Sequence, residues 1–156
     1  MFNSTIKKYE KIDGVNGFQI NDVELNSSIF VEQCKNTEFI INKKCKSITF
    51  NNCLQSTLIF NKVISTVEII NSKNIIIYCL DSAPGINIDN CFSVKIYLAK
   101  ERNVDIITSK SSDVNITYIQ DDGSYAKDTP ITTQFITQYD YEQNKFITKP
   151  YEMFIW

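Results

Sequence analysis

The sequence predicts an all-β fold, a parallel β-helix in which short strands stack coil upon coil. Apolar residues recur every 19 positions, at Ile29, Ile48, Val67 and Ile86 and, two residues on, at Val31, Phe50, Ile69 and Ile88. Half a period later come two more apolar columns, at Phe39, Leu58, Ile77 and Ile96 and at Ile41, Phe60, Cys79 and Leu98. A short period holding two alternating strands is typical of a coil-stacking solenoid.

The N-terminal segment, residues 1–25, departs from the repeat and predicts a half coil that starts the stack. Phe18 and Ile20 stand 19 residues before Thr37 and Phe39, which suggests that the segment ends in register. Covering the first coil matters because an open solenoid end presents unpaired backbone groups that recruit other strands.

Repeating coils are predicted from residue 28 to residue 119. In the last coil, Val104 and Ile106 follow Ile86 and Ile88 by 18 residues, so we expect that coil to have lost one residue. The same 18-residue spacing separates Ile96 from Val114 and Leu98 from Ile116.

The corners between strands have two columns of their own. The first column contains Gln33, Asn52, Asn71 and Asn90, and the second contains Cys34, Cys53, Ser72 and Cys91. Asparagine tolerates the left-handed backbone and its amide can bond to the copy in the next coil, so we expect sharp bends repeated in register. The cysteines are interpreted as packing residues, because a serine interrupts the column and no histidine is available to complete a metal site.

The C-terminal segment, residues 120–156, breaks the pattern. A turn-rich stretch from Gln120 to Thr129 precedes a polar tail that contains Phe135, Tyr139, Tyr141, Phe146, Tyr151, Phe154 and Trp156. One interpretation is that the tail folds back over the last coil. The other is that it pairs with a second copy in a two-fold dimer, which its aromatic content favours.

The composition favours one soluble domain, residues 1–156, in the cytoplasm. The chain has a formal net charge of −2 and one arginine, Arg102, which argues against nucleic acid as a partner. The N-terminus does not resemble a signal peptide, and the longest apolar run is too short to span a membrane. The odd number of cysteines, 5, fits a reducing compartment. Without histidine, acid and base chemistry near neutral pH lacks its commonest side chain.

Alternation also assigns the outward residues. On the first sheet they are predicted to be Phe30, Thr49, Glu68, Asn87 and Asp105, then Glu32, Asn51, Ile70, Asp89 and Ile107. On the second sheet, Ile40, Ile59, Tyr78 and Tyr97 form a line with Ile76 beside them. That line is either a contact face or a consequence of β-propensity in an isoleucine-rich chain.

Several runs that include outward residues resemble the C-terminal β-helix domain of cyclase-associated proteins. They are Cys45-Lys46-Ser47-Ile48-Thr49-Phe50-Asn51-Asn52-Cys53, Val67-Glu68-Ile69-Ile70-Asn71-Ser72, Tyr97-Leu98-Ala99-Lys100 and Thr108-Ser109-Lys110-Ser111-Ser112-Asp113-Val114-Asn115. The likeness extends in order from about Lys8 to Thr148 and includes Gln134-Phe135.

The resemblance implies a right-handed β-helix that dimerises by exchanging C-terminal strands and binds monomeric actin. It further implies a preference for ADP-actin and promotion of nucleotide exchange on actin, without chemistry or a cofactor on the domain itself. The residues carried over as actin-contact candidates are Thr49, Glu68, Ile70, Lys110, Ser111 and Ser112. The dimerisation candidates are Gln134, Phe135, Tyr139, Phe146 and Ile147.

Two features depart from the family pattern and leave alternatives open. The ending Lys149 to Trp156 lacks the small, acidic residues typical of the family. A related β-helix in tubulin-folding cofactor C stimulates GTP hydrolysis with an arginine finger, but Arg102 does not lie in a matching motif. A purely structural, self-associating solenoid is the third hypothesis. The outward pattern favours Ile59, Tyr78 and Tyr97 as the actin face, whereas the resemblance favours Glu68 and Ile70.

Overall fold

The computed structural model describes residues 4–132 and 134–151, and every regular element among them is a β-strand. Glu152 to Trp156, the end of the divergent tail, lie outside the described residues. The strands are β1 (Thr5–Glu10), β2 (Phe18–Gln19), β3 (Ser27–Glu32), β4 (Glu38–Ile41), β5 (Cys45–Asn51), β6 (Leu54–Ile70), β7 (Lys73–Ser82), β8 (Gly85–Asp89), β9 (Phe92–Leu98), β10 (Asp105–Ser109), β11 (Ser112–Tyr118), β12 (Thr129–Pro130), β13 (Phe135–Asp140) and β14 (Lys145–Pro150).

Two parallel sheets face each other across the core, which confirms the predicted β-helix. The first sheet stacks β1, β3, β5, the second half of β6, β8 and β10. The second sheet stacks β2, β4, the first half of β6, β7, β9 and β11. Strand β6 belongs to both sheets because its 17 residues bend from one to the other without a break.

The core consists of the predicted apolar columns. Ile29, Ile48, Val67 and Ile86 are register partners in successive coils, and each is fully buried. Aromatic rings fill the lower coils, where Phe39 of the second sheet meets Phe50 of the first edge-on at 5.5 Å between ring centroids. Such edge-to-face pairs add to the burial of large apolar area that holds the two sheets together.

The predicted register of the last coil is wrong. Ile106 pairs with Ile86 and Ile116 pairs with Ile96, so the coil has gained one residue and the spacing is 20 instead of 18. Both spacings keep the same side chains inward, because alternation has a period of two, and the sequence pattern therefore cannot separate them. Val104 lies before β10 and is nearly buried there.

The first coil also differs from the prediction. Residues 5–19 contribute a strand to each sheet, so the segment forms a full coil and not a half coil. Phe18 pairs with Phe39, a spacing of 21 residues, instead of preceding it in the column of Thr37. The longer loop between β1 and β2 absorbs the two extra residues and again preserves the parity of the side chains.

Each corner after the first sheet uses two left-handed residues three positions apart, which confirms the bend predicted from the asparagine column and extends it. The pairs are Lys11 and Gly14, Gln33 and Asn36, Asn52 and Gln55, Asn71 and Asn74, Asn90 and Ser93, and Lys110 and Asp113. Asparagine and glycine occupy several of these positions because they adopt positive φ at low cost.

The C-terminal segment divides into two parts. Residues 119–131 fold back over the last coil, where β12 pairs antiparallel with β11 and Ile119 forms a bridge with Tyr125. Strands β13 and β14 then form a separate antiparallel hairpin that shares no ladder with the β-helix within the described residues. Folding back is therefore correct for the first part, and exchange of the hairpin between two copies stays a prediction.

Candidate functional site

The outer face of the first sheet, called the first face below, brings three of the candidate residues together. Thr49 of β5 and Glu68 of β6 are register partners in adjacent coils, and Ile70 lies two residues beyond Glu68 on the same face. All three side chains are half-buried. Their place on this face follows from alternation, since Ile48, Phe50, Val67 and Ile69 turn inward.

The upper end of the first face differs from the prediction because of the added residue in the last coil. Ile107, not Asp105, continues the column of Thr49 and Glu68 through Asn87. Asp105 instead pairs with Gly85, and Ser109 takes the place beside Asp89 that Ile107 was expected to fill.

The first face is mainly acidic. Its outward carboxylates include Glu10, Glu32, Glu68 and Asp89. Lys8 offsets part of this charge through ion pairs of 3.0 Å with Glu10 and 3.5 Å with Glu32. The hydrogen bond to Glu10 raises the pKa of Lys8, so this lysine stays charged. The upper coils lack an equivalent ion pair on this face in the described chain.

Lys110, Ser111 and Ser112 form the corner between the two sheets in the last coil. Lys110 has φ of 50° and continues the asparagine column, which the assumed 18-residue spacing had hidden. The Ser111 hydroxyl accepts from the Cys91 backbone N–H at 3.0 Å and donates to the Ser109 carbonyl at 2.9 Å. Ser111 therefore stabilises the corner, whereas Lys110 and Ser112 are exposed to solvent.

A shallow groove of about 610 Å³ runs along this corner and was not predicted. Its lining combines Lys110 and Ser112 with side chains from three lower coils: Asn52, Asn71, Ser72, Lys73, Asn90, Cys91 and Phe92. The Lys73 ammonium lies 5.6 Å from the centroid of the Phe92 ring, a cation–π distance. The signal was present in the sequence, because Leu54, Lys73 and Phe92 are themselves 19 residues apart.

The second face, on the outside of the second sheet, has the predicted apolar line. Ile40, Ile59, Tyr78 and Tyr97 are register partners in four coils. The rings of Tyr78 and Tyr97 stack at 4.6 Å with an angle of 9°, and Tyr125 covers Tyr97 at 5.2 Å. Burial raises the pKa of Tyr78. The rings thus cover one another and present mainly their edges, and sequence reasoning missed the contribution of Tyr125.

The five cysteines are all free and buried. In the corner column, the Cys53 and Cys91 thiols donate to the Val31 and Ile69 carbonyls at 3.4 and 3.3 Å. Burial raises the pKa of Cys53 to about 11 and that of Cys79 to about 12, so these thiols stay protonated near neutral pH. Within the described residues, no three His, Cys, Asp or Glu side chains are grouped so that they could hold a metal ion.

The dimerisation candidates meet in the separate hairpin. Tyr139 and Phe146 are register partners with ring centroids 5.2 Å apart, and Tyr141 packs edge-on against Tyr139 at 4.9 Å. Phe135 and Phe146 are 61% and 72% exposed, whereas Ile147 is partly buried. Gln134 closes the base of the hairpin, where its carbonyl accepts from Tyr151 N–H at 2.9 Å.

Arg102, the residue examined for a GTPase-activating role, stacks on an aromatic ring. Its guanidinium carbon lies 3.8 Å from the centroid of the Tyr118 ring. Such stacking holds the arginine at the end of the second sheet. In the residues that the structure describes, there is no helix long and apolar enough to cross a membrane.

Comparison with known proteins gives a consistent family assignment. The family model described as adenylate cyclase associated (CAP) C terminal matches residues 3–153. Human adenylyl cyclase-associated protein 2 is 34% identical over 139 residues, which is 88% of this chain and 28% of that protein. Bovine adenylyl cyclase-associated protein 1 is 32% identical over 131 residues, 83% of this chain and 28% of the relative.

Among solved structures, the cyclase-associated protein of Cryptosporidium parvum has a TM-score of 0.84 and 25% identity. The likeness covers 93% of this chain and 91% of that one. The chain thus spans about 28% of the length of the curated relatives that it matches.

Proposed function

The chain belongs to the family of adenylate cyclase-associated (CAP) C-terminal domains, and we propose that it binds monomeric actin and promotes exchange of actin's bound nucleotide. The observation that carries the proposal is the family match over residues 3–153, together with the runs that resemble the actin-binding β-helix. The cofactor C alternative is not favoured, because the family match is to the cyclase-associated group.

The proposed activity is binding without covalent chemistry on the domain. A protein that binds one nucleotide state of actin more tightly than another shifts the equilibrium between them by the ratio of the two affinities. A tenfold preference corresponds to about 1.4 kcal/mol. A preference for ADP-actin would therefore need only a few differential contacts.

The first face is the proposed actin-contact surface. Thr49, Glu68 and Ile70 are adjacent and partly exposed there, and Ile70 directly precedes the corner that leads to the groove containing Lys110 and Ser112. These contact candidates thus form one connected surface. The second face is the weaker candidate, because its tyrosines stack on one another and on Tyr125.

We also propose that two copies form a dimer by exchanging the β13–β14 hairpin. Exposed Phe135 and Phe146 support this, since aromatic side chains are enriched at interfaces and depleted from solvated hairpins. The upper edge of the first sheet offers a place for a partner strand, because β10 pairs only with β8 in the described chain. Exchange in a two-fold dimer would cover both features at once.

The test is the release of a fluorescent nucleotide from purified ADP-actin or ATP-actin monomers, with and without the protein. We expect faster exchange on ADP-actin and binding at micromolar concentrations. Hydrolysis of GTP by tubulin and by a small GTPase is measured in parallel and should not change. The absence of actin binding at micromolar protein would reject the proposal and leave the structural solenoid as the alternative.

A further inference from the structure

A row of exposed residues runs along the corner groove, parallel to the axis of the β-helix. The members of this corner row, Lys35, Leu54, Lys73, Phe92 and Ser112, are register partners in five successive coils. Leu54 and Phe92 are 46% and 49% exposed. Lysine and a large apolar residue therefore alternate along four coils.

The charge along the corner row is positive. Lys73 rests on Phe92, and Lys35 lies 3.7 Å from Asp13 at the lower end of the row. Lys110 adds a further cation, and the described lining of the groove contains no carboxylate. The nearest acidic side chain along the chain, Asp113, follows Ser112 and accepts from the Asn115 amide at 3.3 Å. A ligand for this surface must offer negative charge and apolar groups in alternation.

The spacing of the row selects the secondary structure of such a ligand. Adjacent coils are ~4.8 Å apart, so Lys35 and Lys73 are about 10 Å apart and an apolar side chain lies between them. Residues that repeat every three or four positions on one face of an α-helix advance about 5.3 Å along its axis. Alternate residues of an extended strand advance about 6.8 Å and fall out of step after two coils.

We propose that the corner row docks an amphipathic α-helix of a partner protein, with acidic and apolar residues alternating at i, i+3 or i+4, i+7 and i+11. Its acidic residues pair with Lys35 and Lys73, and its apolar residues pack on Leu54 and Phe92. This is the helix-in-groove mode of recognition, with charge complementarity setting orientation. The amides of Asn71 and Asn90 line the groove beside the row and can bond to polar groups on the helix flank.

The test uses a labelled, amidated 20-residue alanine-based peptide with glutamate and leucine alternating in that pattern. Its matched twin has glutamine in place of each glutamate. Binding is measured by fluorescence anisotropy and mapped by two-dimensional NMR. We expect saturable shifts of the Asn71 and Asn90 side-chain amides, and about tenfold weaker binding of the twin.

A charge-reversal pair decides whether the corner row is the site. Lys73→Glu with Lys110→Glu should weaken binding at least tenfold, whereas Lys44→Glu with Lys62→Glu, at the opposite corner, changes net charge equally and should leave it unaltered. Circular dichroism melting checks that both variants fold. Equal binding by both variants, equal binding of the two peptides, or no binding at all would overturn the proposal. The assay contains no actin, so its outcome is separate from the proposed actin activity.

Discussion

The side-chain amide of Asn90 donates from Nδ2 to Oδ1 of Asn71, one coil below, at 2.7 Å. Asn71 in turn donates to Asn51 Oδ1 at 3.4 Å. Both Asn71 and Asn90 have positive φ, 50° and 54°. A single residue type therefore performs two tasks at this corner: it tolerates the left-handed backbone and it links successive coils.

Replacing Asn71 should separate these two tasks. Asn71→Ala removes the amide and places a Cβ without polar compensation at φ 50°, so we expect a loss of about 1–2 kcal/mol in the free energy of unfolding. Asn71→Gly removes the amide but tolerates the backbone, and should cost about 1 kcal/mol less.

Asn61 in β6 provides the control for Asn71. Its Nδ2 donates to the Asn42 carbonyl at 2.7 Å within regular strand geometry. There the order should reverse, with Gly more destabilising than Ala. Urea denaturation of the four variants measures both pairs, and the same order at the two positions would contradict the strain argument.

A pair of isoleucine variants should identify the actin-contact face. Ile70→Ser on the first face is expected to weaken actin binding about tenfold, because an apolar contact is lost at the proposed interface. Ile76→Ser, an equivalent outward change on the second face, should have little effect. Pyrene-labelled or dansylated actin monomers give the affinities, and the opposite ranking would move the contact to the second face.

The hairpin variants should change the oligomeric state. Phe135→Ser with Phe146→Ser removes two exposed aromatic rings, and deletion from Gln134 onward removes the hairpin altogether. Sedimentation equilibrium should then fall from about twice 18.0 kDa to the monomer mass. Leu25→Ser, at a residue that is also 61% exposed but far along the chain, is the control. A wild-type protein that is already monomeric would refute the exchange.

The buried thiols should make stability fall at alkaline pH. Burial raises the pKa of Cys79 from its ordinary value of 9.0 to about 12, and those of Cys45 and Cys53 to about 11. The folded state thus keeps protons that the unfolded chain releases above pH 9. This contribution to stability is complete below pH 9 and is lost as the pH rises towards 11–12.

Cys79→Ala isolates one thiol. Between pH 9.5 and 10.5 its free energy of unfolding should decline less steeply than that of the wild type, by up to about 1.4 kcal/mol per pH unit. Tyrosines and lysines titrate in both proteins and cancel in the difference. Parallel pH profiles would show that Cys79 is not protected.

The fold could be predicted because its signal is repeated. Every coil places apolar residues inward at Ile48 and Phe50 and at their copies, and the asparagine column marks the bend. The register of the end coils could not be predicted in the same way. Spacings that differ by two residues preserve side-chain parity, and only backbone pairing, as between Ile86 and Ile106, distinguishes them.

The candidate site was predicted in part. The sequence and the resemblance pointed to Thr49, Glu68 and Ile70, and alternation placed them on one face. The contributions of Lys73 and Phe92 to the groove were missed, because that column is mixed in polarity and has no core to impose a pattern. Tyr125 was missed because its contact with Tyr97 joins residues in different structural contexts.

The sequence by itself determined the coil, its inward columns and its corners, because each depends on neighbours within one period and is repeated along the chain. The tertiary structure decided what lies across coils and at the ends. It set the 20-residue last coil, aligned lysine with apolar residues along the corner row, and left the β13–β14 hairpin apart from the stack. These relationships arise from hydrogen bonding between coils and from loop lengths, which side-chain alternation does not encode.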